Sequence, residues 1–70
     1  MKLTTNEIIL TYLAERVSVT IYKNNETGSW LWAVQVNETD FWLASFEKCQ
    51  DAMKYCLLHQ LPYTISPVKG

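Results

Sequence analysis

Three side chains of this sequence have the chemistry of a nucleophile, a base or a metal ligand: His59, Cys49 and Cys56. A catalytic nucleophile needs an adjacent general base, and that base needs a third group to orient it. His59 is the only histidine of the chain, and no Ser-His-Asp or Cys-His arrangement can be assembled around it from spacing. Near the end of a predicted helix, His59 is more simply a surface residue that interacts favourably with the helix dipole. The sequence therefore predicts a protein that is not an enzyme.

The two cysteines are seven residues apart, which places them two turns apart on one face of a predicted helix. Their Cα atoms would then be roughly 10 Å apart, whereas a disulfide needs less than about 7 Å. Zinc sites usually draw ligands from close pairs, and Cys49 lies too far from Cys56 and His59 to complete such a set. We therefore expect reduced thiols that act as small core residues, with no metal and no cofactor.

Phosphate chemistry and paired-carboxylate chemistry have little support. A nucleotide-binding loop needs several glycines, and the chain contains only Gly28 and Gly70. The carboxylates of Glu38 and Asp40 alternate about one residue in a predicted turn, where water solvates them. We interpret these two acidic residues as a candidate contact with a protein partner.

Aromatic residues give the strongest functional signal. Trp30 and Trp32 project to the same face of the predicted second strand, and Trp42 lies on the predicted third strand. In one interpretation these rings form the core under a helix. In the other, a sheet face that no helix covers presents the rings to a partner, as exposed aromatic patches do at interfaces. The sequence alone leaves both interpretations open.

Strands and a helix must position these side chains. Three segments with alternating apolar residues predict an antiparallel meander: Val17–Lys23, Trp30–Val36 and Phe41–Phe46. Residues 24–29 and 37–40 supply its turns, and Gly28 can adopt a positive φ. Helical spacing predicts a helix over Glu47–Gln60 that Pro62 stops, and residues 63–65 form a short final strand or a packed tail.

The N-terminal segment has two interpretations. Thr4 and Glu7 have the spacing of a capping box, and apolar residues follow at helical intervals, which predicts a helix over residues 5–15. The competing interpretation is an extended arm, because the run Ile8–Tyr12 is rich in strand-forming residues. With the helix, residues 1–70 make one small α+β domain in the order α-β-β-β-α.

Composition limits the class of partner. Six basic and seven acidic residues give a net charge of -1, and the basic residues are scattered instead of forming the stripe that nucleic-acid binders use. Hydrophobic residues make up 49% of the chain, which is too apolar for a disordered protein. The opening residues contain no apolar run long enough for a signal peptide or a membrane span. We therefore expect a cytoplasmic protein that binds neither membrane nor, in its main function, nucleic acid.

The segment Phe41–Tyr55 resembles a known layout. WLASF at 42–46, followed by Ala-Met-Lys-Tyr at 52–55, is similar to the third strand and helix of the DNA-binding domain of plant ethylene-response factors. Phage integrase arm-binding domains share that layout, and the α-β-β-β-α order also looks like the double-stranded-RNA-binding fold. The resemblance implies a three-stranded sheet packed on a helix. It carries over no nucleic-acid contact, because Gln35 on the second strand and Asn37 directly after it stand where the ethylene-response family uses arginines.

These observations predict a protein-interaction module, in the manner of a small regulator or inhibitor from a phage or mobile element. It would act through an aromatic sheet face or a strand edge, and an open edge can also pair with a second copy to form a homodimer. The candidate partner-binding residues are Trp30, Trp32, Glu38, Asp40 and Trp42. The alternative is a weak nucleic-acid binder that stacks bases on its sheet tryptophans beside Lys23.

Overall fold

The computed structural model describes residues 3–25 and 28–66. Two helices and four strands follow one another in the order α1 (Thr5–Glu15), β1 (Val19–Asn24), β2 (Leu31–Val36), β3 (Trp42–Phe46), α2 (Cys49–Leu58) and β4 (Tyr63–Ser66). The predicted α+β class and the predicted N-terminal helix are confirmed. The final segment forms a strand, which was one of its two predicted states.

The four strands form one sheet in the order β3-β2-β1-β4. β2 pairs antiparallel with both β1 and β3, as the predicted meander requires, whereas β4 pairs parallel with β1. A parallel neighbour cannot be reached by a tight turn, so the chain must cross the sheet between β3 and β4. α2 makes this crossing and thereby covers one face of the sheet.

The apolar core lies between this covered face and the helices. Val19 pairs with Val36 and Ile21 with Val34 across β1 and β2, and all four side chains are buried. The buried cluster comprises Val19, Ile21, Val34, Val36, Leu43, Ala52, Cys56 and Leu61. Each large aliphatic side chain buried here contributes roughly 1.5–3 kcal/mol relative to an exposed position.

α1 packs against the same cluster as α2, so both helices lie on one face of the sheet. The second face of the sheet has no described helix on it. The capping box of α1 is present: the Thr4 N–H donates to Glu7 Oε1 at 3.0 Å, and the Glu7 N–H donates to Thr4 Oγ1 at 3.2 Å. These bonds lower the pKa of the Glu7 carboxyl. Although Ile9, Tyr12 and Leu13 contact the core, no α1 side chain is fully buried. Neither described helix is long and apolar enough to cross a membrane.

The bounds predicted for α2 are corrected at both ends. The helix begins at Cys49. It ends at Leu58, because Gln60 adopts a left-handed conformation with φ 58°. The Leu61 N–H then donates to the Cys56 carbonyl at 2.9 Å, which closes the helix before Pro62 is reached. Leu57, although apolar, is 64% exposed near the end of the helix.

Both hairpin turns contain a residue with positive φ. Gly28 has φ 91° in the first turn, of which residues 26–27 lie outside the described residues. Glu38 has φ 66° in the second turn, where the Thr39 N–H and Oγ1 both donate to the Val36 carbonyl.

A β-bulge interrupts the pairing of β2 with β3. Val34 pairs with Ala44, but the next residue, Gln35, pairs with Trp42, so Leu43 is an extra residue on β3. A bulge shifts the alternation of side chains by one. Trp42 therefore lies on the sheet face opposite to Ala44 and Phe46.

Candidate functional site

The five predicted partner-binding residues lie in three places. Trp30 and Trp32 lie near the start of β2, whereas Glu38 and Asp40 lie in the exposed turn after its end. At about 3.3 Å per residue, β2 separates these two places by roughly 20 Å. Trp42 lies on the other face of the sheet. The structure therefore does not gather the five residues into one site.

The two tryptophans near the start of β2 belong to a longer line of rings, which we call the aromatic row: Trp30, Trp32, Phe46, Tyr55 and His59. Trp32 and Phe46 are direct partners across β2 and β3. The Phe46 ring lies 5.6 Å from the Tyr55 ring of α2, and that ring lies 4.7 Å from His59. The row runs from the end of the β1–β2 hairpin across β3 to the C-terminus of α2.

Lys23 supplies a positive charge at the hairpin end of the row. It is the β1 partner of Trp32. Its Nζ lies 5.7 Å from the centroid of Trp30 and 6.0 Å from that of Trp32. Each such cation–π contact contributes about 0.5–1 kcal/mol at an exposed site. Lys23 therefore helps to hold the two indoles together.

The aromatic row is partly core and partly surface. Trp32, Phe46 and Tyr55 pack against the buried cluster and are half-buried, whereas Trp30 is 57% exposed. Burial is the main cause that raises the pKa of the Tyr55 hydroxyl, followed by the neighbouring Cys56. Tyr55 is therefore a neutral hydrogen-bond donor at physiological pH. The two interpretations of the tryptophans each hold for part of the row.

In the interpretation with an uncovered sheet face, that face was expected to carry Trp30 and Trp32, and the structure corrects this expectation. Trp32 lies on the same face of β2 as Val34 and Val36, which form the core under α2. The tryptophans of the row therefore lie at the margin of the covered face. The face without a described helix carries Trp42 instead. Its Nε1 donates to the Tyr22 hydroxyl at 2.8 Å, and the two rings meet edge to face at 6.1 Å. Trp42 is thereby fixed against the sheet.

A polar depression of about 300 Å³ lies on this second face, lined by Thr20, Tyr22, Gln35, Asn37, Glu38 and Ser66. Two of the lining side chains bond to each other, because Thr20 Oγ1 donates to Asn37 Oδ1 at 2.6 Å. Gln35 Nε2 donates to the Thr39 carbonyl outside the depression. These contacts tie the strands to the turn after β2.

The residues considered for metal or nucleophilic chemistry do not converge. Within residues 3–25 and 28–66, no three His, Cys, Asp or Glu side chains come close enough to hold a metal ion. Cys49 and Cys56 are free thiols, and burial raises the pKa of Cys56 to about 11. A buried thiol of high pKa is a poor nucleophile. His59 follows the end of α2, where its ring packs against Tyr55.

The two edges of the sheet differ. β3 and β4 are the outer strands, and neither carries a charged residue. The bulge on β3 twists that edge, which disfavours pairing with another strand. β4 has only four residues, although Ile65 on it is 41% exposed.

Comparison with known proteins gives no family model, curated protein or solved structure that matches this chain. The aromatic row is therefore the feature of the molecule that points to a function. Sequence reasoning found Trp30 and Trp32 but missed Phe46, Tyr55 and His59 as their neighbours. The cross-strand pairs of β2 and β3 and the position of α2 bring these rings together.

Proposed function

We propose that this chain is a non-enzymatic protein-interaction module that binds its partner through the aromatic row. The exposed indole of Trp30 carries the proposal, because a large apolar side chain in water is stabilised when a partner covers it. Aromatic residues are enriched at protein interfaces, and tryptophan is among the residues that contribute most to binding. The neighbouring rings provide a surface on which such a contact can extend.

The test compares two substitutions of exposed apolar residues. Trp30→Ala should weaken partner binding by about 2 kcal/mol or more, as for an interface hot spot. It should lower the unfolding free energy by only about 0.5–1 kcal/mol, the contribution of the contact with Lys23. Leu58→Ala, at a position that is 78% exposed on α2, is the matched control. Tagged wild type and both variants are used to capture proteins from the source organism, with quantitative mass spectrometry. Equal capture by Trp30→Ala and wild type would refute the proposal.

We propose that this module acts as a regulator or inhibitor in the cytoplasm. The two free thiols support a reducing compartment. The acidic turn with Glu38 and Asp40 lies roughly 20 Å from the aromatic row, so a partner of ordinary interface size can contact both. Glu38→Gln combined with Asp40→Asn should then slow association more than it speeds dissociation.

A homodimer is a second form of protein partner that we propose, by pairing of β4 with β4 of another copy. The uncharged edge and the exposed Ile65 support it. Light scattering after size exclusion tests it: a monomer mass at millimolar concentration would exclude self-pairing without affecting the proposal for the aromatic row.

A weak single-stranded nucleic-acid binder is the alternative function, because Lys23 lies beside two indoles. Stacking of a base on an aromatic ring contributes about 1–3 kcal/mol. Titration of tryptophan fluorescence with short DNA and RNA oligonucleotides at low and high salt tests it. No quenching at low salt would exclude this alternative.

A further inference from the structure

We infer that the aromatic row binds an extended proline-rich segment that carries a carboxylate near one end. This inference rests on the proposed protein-binding function of the same row and specifies the chemistry of the partner. Three properties of the row support it: its length, its hydrogen-bonding groups and its charge.

The length of the row suits a short polyproline segment. Cross-strand neighbours such as Trp32 and Phe46 have Cβ atoms about 5 Å apart, and the next two ring contacts are 5.6 Å and 4.7 Å. Trp30 lies two residues, or about 7 Å, before Trp32 along β2, so the path from ring to ring is roughly 20 Å. A polyproline II helix rises about 3.1 Å per residue, so about six or seven residues cover this path. Proline-rich segments bind on aromatic surfaces of this kind.

The hydrogen-bonding groups of the row favour polyproline over a β-strand. Trp32 and Phe46 belong to strands whose backbones pair with each other. The free edge beside the row is that of the outer strand β3, where the bulge disfavours pairing, so the row offers mainly rings. A strand-forming peptide laid on it would cover its own N–H groups without giving them partners, which is unfavourable. Proline has no N–H, and a polyproline II helix needs no backbone pairing. The partner segment therefore has no proline N–H to bury without a partner, and only its carbonyl oxygens need to stay in water or find a donor.

Charge distinguishes this partner from nucleic acid. Among the described residues, Lys23 is the cation in contact with the indoles, and the chain as a whole has a net charge of -1. A nucleic-acid strand along the row would bring several phosphates to one lysine. A proline-rich segment brings no charge of its own, and one Asp or Glu side chain is enough to pair with Lys23. The carboxylate should therefore lie at the Trp30 end.

The three tryptophans provide the readout, as indole N–H signals in spectra of the ¹⁵N-labelled protein. The probe is a synthetic peptide of one glutamate followed by six prolines. We expect its addition to shift the signals of Trp30 and Trp32 in a saturable way. The signal of Trp42 should stay in place, because that indole is bonded to Tyr22 on the other sheet face.

Variants separate the ring contacts from the charge contact. Trp30→Ala should weaken peptide binding about tenfold or more, as for an interface hot spot. Lys23→Gln should weaken it about two- to fivefold, the usual range for an exposed ion pair. The effect of Lys23→Gln should be smaller when the glutamate of the peptide is replaced by glutamine, because only the loss of the cation–π contacts with the indoles then remains. Lys54→Gln and Leu58→Ala, at exposed positions of α2, are the controls and should bind as wild type does.

Two further probe molecules test the preference for proline and the competing nucleic acid. The capture experiment separates failure of this inference from failure of the proposed function. A glycine–serine peptide with the same glutamate should leave the indole signals in place; equal shifts would refute a preference for proline. Tighter binding of an oligothymidylate would refute the inference in favour of nucleic acid. If no proline peptide binds while Trp30→Ala still loses captured proteins, this inference fails and the proposed function stands. If Trp30→Ala captures the same proteins as wild type, the proposed function itself fails.

Discussion

Single residues with unusual backbone conformations define the ends of both helices. Arg16, with φ 52°, is the first residue after α1. Gln60, with φ 58°, is the second residue after α2. In each case the next amide donates to a carbonyl five residues back: Val17 to Tyr12 at 3.4 Å and Leu61 to Cys56 at 2.9 Å. This arrangement normally uses glycine, because a side chain in the left-handed region costs about 1–2 kcal/mol.

Replacement of Gln60 by glycine should therefore stabilise the protein. The removed strain exceeds the extra entropy of glycine in the unfolded chain, so Gln60→Gly should raise the unfolding free energy by about 0.5–1 kcal/mol. Lys54→Gly, in the interior of α2, is the control and should lower the unfolding free energy by a similar amount. Urea denaturation followed by circular dichroism measures both. A loss of stability in Gln60→Gly would contradict the left-handed assignment.

The buried thiol of Cys56 makes stability depend on alkaline pH. Burial raises its pKa from 9.0 to about 11, so the folded state disfavours the thiolate that the unfolded state forms. The contribution of the neutral thiol to the free energy of unfolding is complete below pH 9. It is lost as the pH rises towards 11, by at most about 1.4 kcal/mol per pH unit. Urea midpoints at pH 8 and pH 10.5 should differ less in Cys56→Ala than in wild type. Cys49→Ala should keep the wild-type difference; equal pH dependence in all three proteins would refute this assignment.

At the scale of single residues, sequence reasoning identified the exposed tryptophan but not its surroundings. Trp30 follows from residue type and spacing. The contact of Lys23 with both indoles depends on the register of the β1–β2 hairpin, and that register depends on a turn whose length the sequence does not fix. Tyr55 joins the row only because α2 crosses the sheet above Phe46.

Elements that rest on local patterns were predicted well, and those that rest on distant pairing were not. The alternation in residues 17–23 predicted β1, and the capping box predicted α1. The bulge at Leu43 reverses the alternation of β3, although nothing in the segment signals it, so strict alternation would put Trp42 on the face of Phe46. The parallel pairing of β4 with β1 is a choice between sheet edges, which a local pattern cannot specify.

α1 should open before the sheet does. It contacts the core through half-buried side chains, such as Tyr12 with its ring 5.5 Å from that of Phe41. β1 is central, has neighbours on both sides and contains fully buried residues. Amide hydrogen exchange should therefore be at least about 100-fold faster in α1 than in β1. Tyr12→Ala should accelerate exchange in α1 more than in β1, and uniform protection of both elements would show that α1 opens only with the whole domain.

The whole molecule has a small core and therefore little stability to lose. A domain of 70 residues has an unfolding free energy of roughly 4–10 kcal/mol at usual values per residue. Ile21 is fully buried on β1, one of the two inner strands of the sheet.

Truncation of Ile21 should remove much of that stability. Ile21→Ala should cost about 2–5 kcal/mol, whereas the control Ile21→Val should cost about 0.5–1.5 kcal/mol. Thermal and urea unfolding measure both variants. A cost below about 1 kcal/mol for Ile21→Ala would mean that the core does not depend on this position.

The parallel pairing of β1 with β4 also gives the molecule a direction in which it resists force. Because both strands run the same way, the start of β1 at Val19 and the end of β4 at Ser66 lie at opposite ends of the pair. Tension between these two residues shears the strands and loads all the ladder hydrogen bonds at once. Val19 and Val36, by contrast, are partners at the open end of a hairpin, so tension between them unzips one pair at a time. The same central strand should thus be mechanically strong along one axis and weak along another.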